Sequence, residues 1–282
     1  MVTLTNLTFS YKKNSNILEK ITANLKPGHV YGLLGLNGTG KTTFLKLIAG
    51  LQFPTQGTVL VNEEIPKERK VSLLSNLYFI TDEVELPKWK IDTFVSIYGS
   101  LYPKFDNKKF YELLQEMHVD KTANLGNLSY GQQKKVNIAF GLATDVSLIL
   151  MDEPTNGLDI PSKSQFRKLL SKYTTDDKII IISTHQTRDL DQLIDHLLVI
   201  HDRNLIVNES IFDLMKKISF ESNTEHIDKA LYSERTLNGT QSIHPNTFQI
   251  DDHFDIELFF NALTQDETFL SKLNRLTAIH HE

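Results

Sequence analysis

The sequence predicts an α/β protein whose centre is a mainly parallel β-sheet. Short runs made only of apolar residues are typical of strands buried on both faces of such a sheet, and they occur at residues 30–34, 148–151, 179–182 and 197–200. Glycine or a polar residue directly follows each of the first three runs. Because open parallel sheets bind ligands at the carboxyl ends of their strands, we expect the functional residues to gather at that edge.

Other regions are predicted to surround this sheet. Short strands at residues 21–25 and 58–61 indicate an antiparallel β subdomain. Between about residues 82 and 145, apolar side chains recur at helical spacing, which predicts an α-helical subdomain. The predicted organisation is a main domain at residues 1–207 and a small α+β extension at residues 208–282.

The predicted extension mixes strand and helix signals. Asn238 and Gly239 form a hairpin turn signal, and residues 256–263 and 269–276 show helical spacing. The sequence shows no catalytic constellation there, so we expect the chemistry to lie in the main domain.

Composition narrows the classes of function. The chain has 282 residues, a net charge of −5 and no cysteine. A thiolate metal site and a cysteine nucleophile are therefore excluded, and the negative charge argues against nucleic acid as the main partner. The first residues lack the pattern of a secretory leader, and no apolar stretch reaches the roughly 20 residues that span a bilayer. We expect a cytoplasmic protein that reaches a membrane through a partner.

Residues 35–43 match the pattern G-x-x-x-x-G-K-[ST] in full. An apolar strand precedes the match and a helical pattern follows it, as a P-loop NTPase core requires. Glycines let backbone N–H groups turn toward one point, and the positive end of the helix adds to this polyphosphate site. The lysine reaches the β- and γ-phosphates, and the next hydroxyl, that of Thr42, ligates Mg²⁺. The candidate nucleotide-binding residues are Asn37, Gly38, Thr39, Gly40, Lys41, Thr42 and Thr43.

Asp152 and Glu153 directly follow the apolar run at residues 148–151. A buried strand that places an Asp beside the phosphate loop is what Mg²⁺ binding needs, so Asp152 is the second candidate metal ligand. Glu153 points elsewhere and can polarise a water for in-line attack on the γ-phosphorus. His185 follows the run at residues 179–182 and is placed to sense that phosphate. Glu153 and His185 are thus the candidate catalytic residues.

A second anion-binding pattern lies at residues 128–132. Ser129 and Gly131 stand at the start of a predicted helix, where backbone donors and the helix dipole favour an anion. One chain does not need two γ-phosphate sites. We therefore expect Ser129, Gly131 and Gln132 to serve a nucleotide held by a second subunit.

Taken in order, these motifs resemble those of the ATP-binding subunits of ABC transporters, over roughly residues 1–205. Residues 35–43 resemble the Walker A motif, residues 148–153 resemble the Walker B motif, and residues 128–132 resemble the family signature. The D-loop is matched by residues 157–159, and the switch histidine by His185.

This resemblance implies a function and its partners. Tyr11 falls where the family places an aromatic ring that stacks on adenine. The resemblance implies Mg²⁺-dependent ATP hydrolysis, a second copy or a related ATPase subunit that completes the sites, and an integral membrane subunit at the inner face of the membrane. Residues 255–262 resemble the end of a subgroup that works with separately encoded membrane subunits, often in peptide or antibiotic export. We therefore expect export rather than import.

One stretch departs from the family pattern. The family usually has a Gln at the end of the strand before the helical subdomain, where it contacts Mg²⁺ and the transport partner. Thr81 stands at that position, followed by Asp82 and Glu83, and each of the three offers an oxygen. Two alternatives stay open, a soluble ABC ATPase that acts on a scaffold or macromolecular complex, and a nucleotide-binding regulator with little turnover.

Overall fold

The computed structural model describes residues 1–12, 15–185, 187, 193–222, 227–237, 239–246 and 253–279. In chain order, the strands of these residues are β1 (Val2–Lys12), β2 (Ser15–Leu25), β3 (His29–Leu34), β4 (Gln56–Val61), β5 (Leu77–Ile80), β6 (Leu148–Asp152), β7 (Ile179–Ser183), β8 (His196–His201), β9 (Asn204–Ser210), β10 (Ile218–Ser222), β11 (Tyr232–Thr236) and β12 (Gly239–Pro245). The α-helices are α1 (Lys41–Ile48), α2 (Val71–Leu74), α3 (Ile91–Tyr98), α4 (Asn107–Glu116), α5 (Tyr130–Ala143), α6 (Ile160–Tyr173), α7 (Ile211–Lys217), α8 (Ile256–Gln265) and α9 (Phe269–Ile279).

A six-stranded sheet of order β5-β6-β7-β3-β8-β9 forms the centre of the fold. Its first five strands run parallel, and β9 runs antiparallel to β8 at one edge. The predicted apolar runs lie in β3, β6, β7 and β8, and every residue of β6 and β7 is buried. The prediction of an α/β fold with a mainly parallel sheet is confirmed. Since β6, β7 and β3 are neighbours, their carboxyl ends meet at one edge.

The two faces of this sheet bury two separate apolar cores. Alternate residues of a strand point to opposite faces, so Leu148 and Leu150 join one core while Ile149 and Met151 join the other. The first core lies between the sheet, α1 and an antiparallel sheet of order β2-β1-β4. The second core holds the apolar faces of α3, α4 and α5. The predicted antiparallel and helical regions therefore pack on opposite faces.

The chain enters its C-terminal part directly from the edge strand β9. The predicted boundary after residue 207 falls inside this strand, because an edge strand packed on one side has a mixed polar pattern that resembles a linker. Ser210 then caps α7, with its hydroxyl accepting a hydrogen bond from the Asp213 N–H at 3.0 Å. β10, β12 and β11 form a third, antiparallel sheet. Thr236 pairs with Gly239 in the β11–β12 hairpin, while Asn238 of the predicted turn lies outside the described residues.

The C-terminal elements share the second core of the main domain. Leu214, Ile256, Phe259 and Phe269 are fully buried, and they belong to the same cluster as Val207 in β9. α8 also contributes Phe260 to a cavity of about 140 Å³ behind the phosphate loop. Within the part of the chain that the structure describes, no helix has the length and apolar composition needed to cross a membrane.

Candidate nucleotide site

The loop between β3 and α1 carries the predicted phosphate-binding residues. It turns at Gly40, whose φ of 102° lies in the left-handed region. A Cβ atom there would meet the side chains of Ile17 and Leu18 at 2.9 Å, so glycine satisfies both the backbone angle and the packing. α1 begins at Lys41, and no side chain among the described residues caps it. The first N–H groups of α1, which have no acceptor within the helix, are therefore suited to an anion.

Lys41 is the buried cation of this loop. Its Nζ atom donates hydrogen bonds to the carbonyl oxygens of Gly35, at 2.7 Å, and Leu36, at 3.2 Å. Burial lowers the pKa of the ammonium, and the nearby carboxylates of Glu153 and Asp152 counteract part of that effect. The loop carbonyls thus hold a positive charge beside the two carboxylates.

Asp152 is buried at the end of β6, and each of its carboxylate oxygens has a partner. Thr42 Oγ1 donates to Oδ2 at 2.7 Å, and the hydroxyl of Ser183, at the end of β7, donates to Oδ1. The two predicted Mg²⁺ ligands, Thr42 and Asp152, are therefore in direct contact. They fit Mg²⁺, which is usually held by one or two carboxylates together with substrate phosphates and water. Elsewhere in the described ranges, no cluster of three or more acidic or histidine side chains forms an alternative metal centre.

Glu153 follows Asp152 with a φ of 46°. This left-handed conformation costs a residue with a side chain about 1–2 kcal/mol. It aims the two adjacent carboxylates differently. Glu153 Oε2 accepts a hydrogen bond from Thr184 Oγ1 at 3.2 Å, and Oε1 lies 2.8 Å from Nδ1 of His185. The two predicted catalytic residues are therefore in contact.

One cleft of about 980 Å³ brings most of the predicted residues together. Its lining includes Tyr11, Asn37, Gly38, Gly40, Lys41, Thr42, Thr43, Asp152, Glu153 and His185. The exposed ring of Tyr11 lies at the mouth of the cleft, where its hydroxyl is 3.1 Å from Thr43 Oγ1. Thr39 is outside this lining as described; its hydroxyl donates to the Leu36 carbonyl at 2.8 Å and so shapes the loop, and its part in nucleotide binding stays a prediction.

The signature residues lie apart from this cleft. Ser129, Gly131 and Gln132 are absent from the cleft lining as far as the described residues define it. Ser129 caps α5: its Oγ accepts from the Gln132 N–H at 3.3 Å, and its own N–H donates to Gln132 Oε1 at 3.0 Å. A Cβ at Gly131 would lie 2.8 Å from the carbonyl oxygen of Gly157. The structure therefore packs the signature turn on the predicted D-loop of the same chain.

The linker into the helical subdomain lines the cleft with Thr81, Asp82 and Glu83. The hydroxyl of Thr81 donates to the Glu83 carbonyl within the linker, at 2.6 Å. The Asp82 carboxylate reaches further, because its Oδ1 accepts from Lys134 Nζ at 3.2 Å and from Asn156 Nδ2 at 3.3 Å. The Asp82 carboxylate thus connects the linker with α5 and with Asn156, which also lines the cleft.

Sequence reasoning missed two residues that support the site. Ser183 holds the Asp152 carboxylate, and its signal was its position at the end of an apolar strand. Lys134 is completely buried, and its Nζ donates to the backbone carbonyl of Glu153 at 2.7 Å. The signal for Lys134 was a lysine within the apolar pattern of α5, two residues after the signature.

The arrangement defines a class of protein. A glycine-rich loop leads into a helix without a side-chain cap, a buried lysine lies beside it, and a carboxylate pair ends a parallel strand at the same edge. These are the parts of a P-loop nucleoside triphosphatase.

Comparison with known proteins narrows this class. The profile of the family described as "ABC transporter" matches residues 18–156. The bacitracin transport ATP-binding protein BcrA of Enterococcus faecalis is 31% identical over 221 residues, which cover 75% of this chain and 70% of BcrA. The SkfA peptide export ATP-binding protein SkfE of Bacillus subtilis (strain 168) is 30% identical over 207 residues, or 71% of this chain and 85% of SkfE. The chain belongs to the ABC transporter family of ATP-binding proteins, and it is an ATPase of that family.

A solved structure agrees with this assignment. The ATP-binding cassette MJ0796, in a dimeric post-hydrolysis state bound to ADP and Pi, superposes with a TM-score of 0.65 at 25% identity. The superposition covers 75% of this chain and 99% of MJ0796. The matched part thus corresponds to a whole ATP-binding cassette.

Proposed function

We propose that this chain is the ATP-hydrolysing subunit of an ABC exporter and that it powers a separate membrane subunit through ATP-driven dimerisation. One observation carries the proposal, namely the division of the site residues. Lys41, Asp152 and Glu153 line one cleft, whereas Ser129 and Gly131 lie at a helix start outside it. Two chains arranged head to tail would bring the signature turn of each to the cleft of the other.

In the proposed reaction, the loop N–H groups and Lys41 bind the phosphates of ATP, and Tyr11 stacks on the adenine. Glu153 accepts a proton from a water whose oxygen attacks the γ-phosphorus in line. The bond from that phosphorus to the β–γ bridging oxygen breaks, and ADP leaves with the bond's electrons. His185, in contact with Glu153 Oε1, links the position of this carboxylate to the γ-phosphate.

Thr42 and Asp152 would hold the magnesium ion of this reaction. When bound, Mg²⁺ neutralises charge that develops on the phosphate oxygens. The chain itself keeps the two ligands in register, because Ser183 donates to Asp152 Oδ1 while Thr42 donates to Oδ2. Replacing Ser183 would therefore loosen the carboxylate without removing it.

Two features support the partner and the direction of transport. The names of the relatives include bacitracin transport and SkfA peptide export, so we propose a peptide or antibiotic cargo that moves outward. A membrane subunit would hold the chain at the inner face of the membrane, and no nucleic acid partner is expected. We assign the role of the missing family Gln to Asp82, because its carboxylate connects the linker with Lys134 and Asn156.

The substitution Glu153→Gln tests the proposed dimer cycle. The amide cannot accept the proton but has nearly the same size, so turnover should fall by roughly 10²- to 10⁴-fold while ATP binding is kept. Size-exclusion chromatography with ATP and Mg²⁺ should then show a stable dimer. The wild-type chain, which hydrolyses its ATP, is the matched control. A Glu153→Gln variant that binds ATP and stays monomeric would contradict the proposal.

Affinity purification from detergent-solubilised membranes tests the proposed partner. A transporter subunit should bring down an integral membrane protein, and ATP hydrolysis should respond to that protein when both are reconstituted in vesicles. Recovery of a soluble complex in place of a membrane protein would favour the alternative of an ATPase that acts on a scaffold.

A further inference from the structure

The side chain of Lys134 is fully buried between the linker, α5 and the catalytic strand end. An ammonium has three N–H donors, and a buried one is costly unless each donor finds a partner. Here Nζ donates to the Glu153 carbonyl at 2.7 Å, to the Asp82 carbonyl at 3.1 Å and to Asp82 Oδ1 at 3.2 Å. The neighbouring Tyr130 ring lies 5.6 Å from Nζ, and its hydroxyl donates to the same Asp82 carbonyl. The ammonium is therefore fully satisfied and fixed in place.

One of these partners is the backbone of the proposed general base. Glu153 has a φ of 46°, an unfavourable conformation that persists only where surrounding contacts impose it. Its N–H donates to the Ser183 carbonyl at 3.0 Å, and its C=O accepts from Lys134 and from the Asn156 N–H at 3.2 Å. Because both ends of this residue are held, its carboxylate is directed to Thr184 and His185.

Lys134 is poorly placed to act on the nucleotide itself. It is absent from the cleft lining within the described residues. Its hydrogen bonds go to Asp82 and Glu153, whereas those of the loop cation Lys41 go to Gly35 and Leu36. Loss of Lys134 should therefore alter the position of the general base and leave the phosphate-binding contacts in place. A displacement of about 1 Å in a catalytic group can cost roughly 100-fold in rate.

We propose that Lys134 is a positioning residue for the Glu153 carboxylate and that its bonds to Asp82 hold the ammonium against the Glu153 backbone. This inference rests on the proposed role of Glu153 as general base. In the linker, the ammonium is bound by the carbonyl oxygen and the carboxylate of Asp82.

The first experiment compares Lys134→Met with Lys135→Met on the full chain. Methionine nearly matches the length of lysine without its charge, and Lys135 is the adjacent residue of α5, with no hydrogen bond to Glu153 in the described structure. Lys134→Met should lower kcat by roughly 10- to 100-fold and change the ATP affinity by less than about threefold, because the nucleotide contacts persist. Lys135→Met should keep kcat within about twofold of wild type. Equal kcat values for Lys134→Met and wild type would overturn the inference.

A second measurement separates positioning from general support of the fold. In a Glu153→Gln background the base is already lost, so adding Lys134→Met should change the residual turnover by less than about twofold. A purely structural role would weaken ATP binding in both backgrounds. Lys134→Gln, which is uncharged but keeps an N–H donor, is measured alongside by the same criteria. It replaces Lys134→Met if circular dichroism shows that Lys134→Met is unfolded.

The controls also distinguish the two levels of proposal. If Glu153→Gln itself hydrolyses ATP at the wild-type rate, the proposed function of Glu153 is wrong. If Glu153→Gln is slow while folded Lys134→Met matches the wild type, only the inference about Lys134 is wrong.

Discussion

The N-termini of α1 and α5 carry the two anion-binding patterns of the chain, but they are built differently. No side chain caps α1 among the described residues, and the helix starts from a glycine in the left-handed region. α5 starts from Ser129, which forms a reciprocal capping pair with Gln132. The first turn of α5 thus satisfies part of its own hydrogen-bonding capacity.

The surroundings of the two helix starts also differ. The start of α1 lies at the carboxyl edge of the sheet, next to Asp152 and Glu153, so one chain supplies donors, a cation and carboxylates. At the start of α5, Gly131 approaches the backbone of Gly157. Similar signals in the sequence therefore predict a nearly complete site in one case and a contributor to a shared site in the other. The following predictions test that distinction.

The largest effect is expected for Lys41→Ala, at the start of α1. This change removes charge-assisted hydrogen bonds to phosphate, each worth about 1.5–3 kcal/mol, so ATP affinity should fall roughly 10- to 100-fold. Titration of the dilute monomer with a fluorescent ATP analogue measures this loss of affinity. Lys168→Ala, an exposed lysine of α6 that is outside the described cleft lining, serves as the lysine control. Unchanged affinity in Lys41→Ala would contradict the role of this lysine.

A smaller effect, of a different kind, is expected for Ser129→Ala. The monomer should bind ATP with unchanged affinity, whereas turnover and ATP-dependent dimerisation should fall by about tenfold if one hydrogen bond to phosphate is lost. Analytical ultracentrifugation and phosphate release measure the two quantities.

The matched control for this change is Ser210→Ala, because the Ser210 hydroxyl likewise accepts from the N–H three residues further on, at the start of α7, and Ser210 is outside the described cleft lining. Each cap substitution should lower the free energy of unfolding by about 1 kcal/mol, but only Ser129→Ala should affect dimerisation. Equal behaviour of the two variants would mean that Ser129 is a helix cap and nothing more.

The smallest effect is the pH dependence of ATP binding at the α1 site. Burial lowers the pKa of Lys41, so its ammonium loses its proton at a lower pH than an ordinary lysine. ATP affinity should therefore decline as the pH rises through the folded-state pKa, while the free energy of unfolding gains from the same group, because the unfolded chain keeps that proton longer. Titrations across the alkaline range should show the decline in wild type, whereas Lys41→Arg, which stays charged, should not show it.

Local patterns predicted the motifs well because each is a strand, a turn and a helix start within a few residues. The loop before α1 and the carboxylates after β6 are of this kind, and they meet because their parallel strands end at one edge. Lys134 escaped prediction because its partners are distant in sequence: Asp82 and Glu153 are brought to it only by the packing of α5. The predicted boundary after residue 207 falls inside β9 for another reason, since an edge strand lacks the continuous apolar pattern of β6 and β7.

The continuity of the second core has a consequence for how this protein is divided. Phe259 and Phe269 are completely buried in the cluster that also contains Val207 and Leu214. Each such aromatic side chain contributes about 1.5–3 kcal/mol through burial. A chain cut after β9 would expose this surface and would also remove Phe260 from behind the phosphate loop. The C-terminal part therefore shares one core with the ATPase domain and packs against its phosphate loop. A chimera that takes this part from a relative would also need the matching residues on that face of the central sheet.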